Sequence, residues 1–282
     1  MQKIRSAMLT GLALSAALAA NTALADCADL PSHADLTAAL QASIDPTGAT
    51  PNGGFDLNMW ATIVDRDGIV CAVARSGDDR GDQWPGSRVI SAQKANTANA
   101  FSLPGLALST ANLWAATQPG GSLFGLQFSN PVDTQTAYGA ARALGLDTAD
   151  VVDYGTAVDP MVGRLIGGVN VFGGGLALYD AELGLIGAIG VSGDTSCADH
   201  NIAWRTRDAL GLDNLAGVGG VGDANGEVSD NIVFDLDAAG VSAGGFGHPT
   251  CGGPGDVDGN GDTDDVEDNL AVVAAAPIGP ND

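Results

Sequence analysis

Between Gly167 and Gly193 a third of the residues are glycine and most of the others are apolar. Such a stretch makes a poor helix, because each interior glycine costs up to about 1 kcal/mol there. It reads instead as two strands, the second Leu185-Ile186-Gly187-Ala188-Ile189-Gly190-Val191-Ser192-Gly193, with a turn near Asp180 to Gly184. The glycines suit backbone conformation and close packing better than phosphate binding. An earlier hairpin is signalled by Leu57 to Val64 and Ile69 to Ala74 around the turn Asp65-Arg66-Asp67-Gly68. Helices are expected around the hairpins. Ser32 and Asp35 form a capping-box signature before Leu36, Leu40 and Ile44, which predicts a helix over 33 to 45. Val89, Ala92, Ala95, Ala98 and Phe101 form a helical stripe of mostly small side chains that can lie close to a sheet. Ser196 and Asp199 repeat the capping signature ahead of Ile202, Ala203, Thr206, Ala209 and Leu210. Helices alternating with hairpins predict an α+β layer structure on an antiparallel sheet. Residues 102 to 166 show little periodicity beyond a short helix expected at 133 to 144. After Leu212 the chain turns rich in Gly, Asp and Asn, so 213 to 282 reads as tail and loops with little core of its own.

The first residues set the compartment. Lys3 and Arg5 precede an apolar run from Met8 to Ala20 and the triplet Ala23-Leu24-Ala25, the pattern of a secretory signal peptide over 1 to 25 with cleavage before Asp26. Asp26 argues against a lipidated Cys27. A periplasmic or secreted location permits oxidation, so Cys27, Cys71, Cys197 and Cys251 are expected to form two disulfides rather than stay as thiols. Three pairings are open; Cys197 with Cys251 is favoured because it would pin the tail to the body, and it leaves Cys27 with Cys71. The net charge of -23 makes nucleic acid an unsuitable partner, and no second apolar run offers a membrane span.

Three segments carry a family resemblance: Ile63-Val64-Asp65-Arg66-Asp67-Gly68, Gln93-Lys94-Ala95-Asn96-Thr97-Ala98, and Gly167-Gly168 with Gly187-Ala188-Ile189-Gly190-Val191-Ser192-Gly193. Together they resemble the GlcG/HbpS family, a haem-binding and cobalamin-utilisation-associated domain, over residues 26 to 212 with an insertion at about 102 to 166. The resemblance implies a five-stranded antiparallel sheet flanked by helices, frequent homo-oligomers, and binding of haem or another tetrapyrrole in several members. Asp199 fits the family's acidic position on the last helix. Where the family follows the double glycine with a Pro-Ile pair, this chain has Val169-Asn170-Val171.

Haem iron takes His, Met, Cys or Tyr as axial ligand. His200 is the sharpest candidate, next to Asp199 and just after the glycine signature; His33, also at a helix start, is the second. The alternative for each is an ordinary surface histidine, and His248 reads as part of a turn before Pro249. Lys94 and Thr97 lie one turn apart and could meet a ligand carboxylate, or Lys94 could close an ion pair with Asp65. Gly167 and Gly168 complete the expected ligand set. Separately, Asp256, Asp258, Asn260, Gly261, Asp262, Asp264 and Glu267 occupy the EF-hand loop positions over 256 to 267. A hard cation needs oxygens at this alternation, so structural Ca2+ is expected there unless the segment is simply an acidic tail. Catalysis finds little support: Ser192 in Gly190-Val191-Ser192-Gly193 lacks the spacing of a nucleophile elbow, and H-E-x-x-H, C-x-x-C and C-x-x-C-H are absent. These readings converge on a non-catalytic periplasmic binding protein for haem or a related tetrapyrrole, acting as carrier, buffer or sensor. An accessory oligomer without ligand is the alternative. An enzyme of small hydroxy-acid metabolism, suggested only by the family's association with glycolate operons, is a weaker one.

Overall fold

The computed structural model describes residues 26–44, 52, 54–139, 151–221, 229–249 and 251. The expected leader and the EF-hand-like loop lie outside the described residues. Strands β1 (Trp60–Asp65) and β2 (Val70–Arg75) form the first expected hairpin. Its turn is closed by Asp65, whose Oδ1 accepts the N–H groups of Asp67 at 3.0 Å and Ile69 at 2.9 Å. Strand β3 (Leu106–Ala107) is short; β4 (Gly175–Asp180) and β5 (Gly184–Ser192) form the glycine-rich hairpin. β5 pairs antiparallel with both β1 and β4, giving one antiparallel sheet in the order β2-β1-β5-β4. The sheet has four strands, not five. A fourth strand pairing lies outside this sheet: β3 runs parallel to β6 (Gly219–Gly220) and ties the insertion to the C-terminal segment.

Side chains alternate between the two faces of the sheet. Ala61, Ile63, Ala72, Ala74, Leu176, Leu178, Ile189 and Val191 form one core with helix α1 (His33–Ile44) and the last helix. Trp60, Val64, Val70, Val73 and Ala188 form the other, against Val89, Ala92, Ala95 and Ala98 of α2 (Ser87–Phe101). Among its described residues the insertion contributes three short α-helices, α3 (Trp114–Thr117), α4 (Leu126–Ser129) and α5 (Thr134–Tyr138). The last helix among the described residues, α6, spans Ser196–Ala209.

Both predicted helix starts carry caps, with one difference. At α1, Ser32 Oγ accepts the Asp35 N–H and Asp35 Oδ2 accepts the Ser32 N–H, the reciprocal box expected from their spacing. At α6 the cap is Thr195, not Ser196: its Oγ1 accepts the Ala198 N–H at 3.3 Å, which leaves Ser196 and Asp199 for other partners. Two disulfides close, Cys27–Cys71 and Cys197–Cys251. The C-terminal extension holds more core than its composition suggested. Leu215, Asp230, Asn231, Ile232 and His248 are buried, and Asp230 meets Arg207 of α6 at 2.6 Å with both side chains inaccessible to solvent. No helix among the described residues is long and apolar enough to cross a membrane.

Candidate functional site

The glycine signature lets α2 sit almost on the backbone of the sheet. A Cβ at Gly190 would lie 2.0 Å from the Ser91 carbonyl oxygen and 2.5 Å from the Ala95 nitrogen, so only glycine fits. This closeness carries Lys94 from α2 across to the opposite helix layer. Its Nζ donates to Asp199 Oδ2 at 2.5 Å and to the Val191 carbonyl at 3.0 Å. Asp199 Oδ1 in turn accepts the N–H groups of Gly193 at 3.1 Å and Asp194 at 2.8 Å. Burial lowers the Lys94 pKa and pushes the Asp199 carboxyl up to about 6, with the opposite charge of each partner working against the shift. Lys94 therefore pairs with Asp199, not with Asp65, whose carboxylate is occupied in its own turn.

The other expected ligand residues are also held inside. Thr97 Oγ1 donates to the Gln93 carbonyl and accepts the Asn170 N–H, while Asn96 donates to the Gly168 carbonyl at 2.8 Å. Gly167 and Gly168, both at positive φ, thus dock the 167–170 segment along α2. His200 is fully buried, its ring 5.7 Å from that of Trp204, and neither ring nitrogen has a hydrogen bond among the described residues. Burial, reinforced by the charge of Arg207, drives its pKa down to about 3. Lys94, Thr97, Asp199 and His200 are therefore buried in the interior, where the residue types suited to a ligand also suit one another.

His33 stands apart from that set. It is half-buried at the start of α1, and its Nε2 meets the Gly155 carbonyl at 3.0 Å. A carbonyl only accepts, so the neutral ring carries its proton on Nε2 and its lone pair on Nδ1. Beside it Arg75 Nη1 donates to the Tyr154 carbonyl at 2.8 Å, and Val152 and Val158 are exposed on the same loop.

A cleft of about 250 Å³ opens at the N-terminus of α6, lined by Trp114, Phe172, Thr195, Ser196, His248, Pro249 and Cys251. Ser196 Oγ lies 2.8 Å from His248 Nε2, and His248 Nδ1 lies 2.6 Å from the Pro249 carbonyl. That carbonyl fixes the tautomer: Nδ1 donates to it, and Nε2 accepts the Ser196 hydroxyl proton. The Gly173 N–H donates to Ser196 Oγ at 2.7 Å from the other side. Burial pushes the His248 pKa down to about 4, so the imidazole is neutral near pH 7. Sequence reasoning missed this pair. The Ser196 pattern pointed to a cap, and nothing in the sequence joins it to a histidine 52 positions away except the prospect of a Cys197–Cys251 bond.

The matching family model, haem degrading protein HbpS-like, covers residues 49–207. Protein ORFY of Klebsiella pneumoniae, of the DUF336 family, is 22% identical over 64% of this chain and 90% of its own, with a TM-score of 0.40. The PduOC–haem complex is 23% identical over 65% and 96%, with a TM-score of 0.42. A double mutant of HbpS from Streptomyces reticuli is 16% identical over 72% and 99%, with a TM-score of 0.37. No curated protein matches the chain. The family model spans more than half of the sequence, and its glycine and Lys94 segments are those that build the sheet and its buried ion pair: the chain belongs to the HbpS-like family.

Proposed function

We propose that this chain binds haem or a related tetrapyrrole outside the cytoplasm, as a carrier, buffer or sensor, and that His33 supplies the iron ligand. The family's description concerns haem, which supports the ligand class. The observation that carries the residue assignment is the geometry of His33. Metal-ligating histidines donate one ring N–H to a carboxylate or backbone carbonyl and ligate through the other nitrogen; His33 donates to the Gly155 carbonyl and keeps Nδ1 for a ligand. His200 fails the same comparison because its ring has no access to solvent, and His248 because its lone pair already accepts from Ser196. Arg75, bonded to the Tyr154 and Asp78 carbonyls, supplies a cation on this side of the molecule that would balance a propionate, and Val152 and Val158 would offer apolar surface to the ring edge. Bound haem would supply the iron chemistry; the protein's part is to orient the imidazole and hold its tautomer.

Titration of the mature protein with haemin, followed by visible absorption, tests this reading. A saturable Soret shift is expected, weakened about tenfold or more in His33→Ala, on the scale of losing a metal-site group, and unchanged in His248→Gln. A flat titration would sink the ligand assignment, and full binding by His33→Ala would sink the residue assignment. Repeating the titration with calcium and then a chelator extends the test to the proposed calcium loop, Asp256 to Glu267.

A further inference from the structure

The geometry points to a second site: Ser196 and His248 form a nucleophile–base pair in the cleft at the start of α6, built to hydrolyse small, uncharged carboxylic esters. This goes beyond the tetrapyrrole reading and uses none of its residues.

Four features converge on one atom. Ser196 Oγ is 2.8 Å from His248 Nε2, within the reach a general base needs. The base is oriented by a third group, the Pro249 carbonyl, which holds Nδ1–H and leaves Nε2 as acceptor. Ser196 is partly exposed and His248 is buried, and both line the cleft, so the serine is the more accessible member of the pair. Ser196 also opens a helix of 14 residues, and the first-turn amides of a helix lack intrahelical acceptors. The Cys197 N–H, which follows the nucleophile, has the place of an oxyanion donor, aided by the positive end of the helix dipole.

The chemistry balances with water as the only co-reactant. Ser196 Oγ attacks the ester carbonyl carbon while its proton passes to His248 Nε2. The tetrahedral oxyanion collapses, the bond to the alkoxy oxygen breaks, and His248 returns the proton to the leaving alcohol. Water then attacks the acyl-serine with His248 as base; the bond to Oγ breaks, Ser196 regains a proton, and the carboxylic acid leaves. Substrate class follows from the walls and the charge. Trp114, Phe172 and Pro249 offer apolar contact in about 250 Å³, room for a short acyl chain. A net charge of -23 disfavours anionic esters.

The experiment uses the full mature, oxidised protein with p-nitrophenyl acetate and, separately, a fluorophosphonate probe read by peptide mass spectrometry. The expected result is a single phosphonylated serine at Ser196 and hydrolysis that falls about 100-fold in both Ser196→Ala and His248→Gln, the range for losing a positioned base. Ser196→Ala removes one atom at the surface of the cleft, so it decides the matter even where His248→Gln fails to fold. His33→Ala should hydrolyse as the parent does, and Ser196→Ala should bind haemin as the parent does, which separates failure of this inference from failure of the tetrapyrrole reading. Equal hydrolysis by Ser196→Ala and the parent, or labelling elsewhere, would overturn it.

Discussion

At the scale of single residues, the buried charges of this chain stabilise one another and make its stability depend on pH. Removing one partner of a buried ion pair leaves the other uncompensated, at a cost of about 3–5 kcal/mol. Lys94→Met is therefore expected to lose stability in that range by urea unfolding, and adding Asp199→Asn should recover part of the loss, because no uncompensated carboxylate is then left buried. Protons act on this cluster in two directions. The Asp199 carboxyl is raised to about 6, so its linkage contribution is full below the ordinary aspartate range and is lost as pH rises through 6. The His200 and His248 rings are lowered to about 3 and about 4. Their contribution is present above the ordinary histidine pKa of about 6.5 and is lost as pH falls through those values. Two histidines outweigh one carboxylate, so acid destabilises the fold below about pH 6.5. His248→Gln should flatten that limb by about 1.2 kcal/mol per pH unit between about pH 6 and 5; an unchanged slope in urea titrations across that window would show that His248 is not buried in neutral form. Lys94 and Asp199 stood out in the sequence as groups able to do chemistry. That they face each other was not legible, since the approach of α2 to α6 belongs to the tertiary fold.

At the scale of elements, the contact of α2 with β5 and β4 decides the architecture, and it depends on missing side chains. Gly190→Ala would drive a methyl group into the Ser91 carbonyl and the Ala95 nitrogen, neither of which can move without shifting the helix. The expected loss is about 3 kcal/mol, the upper range for overpacking. Gly184→Ala makes the contrast: nothing lies within 4 Å of its Cβ, and only the φ of 73° opposes it. Its cost should be about 1–2 kcal/mol, the left-handed penalty of an L-residue. Thermal unfolding of the two variants side by side checks the order, and a greater loss for Gly184→Ala would refute the close-packing account. This layer was readable because its signals are local: two turns ending in glycine, short β-prone runs on either side of them and a stripe of small residues at helical spacing. The stretch 102 to 166 was not, for a physical reason. Its helices α3, α4 and α5 are four or five residues long, too short to show a period or to be stable alone. They depend on distant contacts such as the bond from Arg88 Nη1 to the Ala137 carbonyl of α5, 49 positions apart.

At the scale of the whole molecule, the C-terminal segment completes the body. Asp230 neutralises Arg207 in the interior, Ile232 packs against Ala111 and Cys197, and Cys251 is bonded to Cys197 one residue beyond Ser196. This disulfide therefore does two separable things: it restrains the unfolded chain, and it holds His248 against the start of α6. The two disulfides span 44 and 54 positions. Loop-closure entropy gives both nearly the same stabilisation, about 4 kcal/mol. Removing Cys27–Cys71 with paired serines should thus weaken the fold about as much as removing Cys197–Cys251, while only the second frees the segment that carries His248. Measured well below the unfolding midpoint, fluorophosphonate labelling of Ser196 is expected to survive in the Cys27→Ser/Cys71→Ser variant and to fall sharply in Cys197→Ser/Cys251→Ser, with haemin binding intact in both. Equal loss of labelling in the two variants would mean that the Ser196–His248 pair follows global stability and that the buried Arg207–Asp230 contact, not the disulfide, fixes the segment. Sparing of labelling in Cys197→Ser/Cys251→Ser would mean that the cleft is held by packing alone.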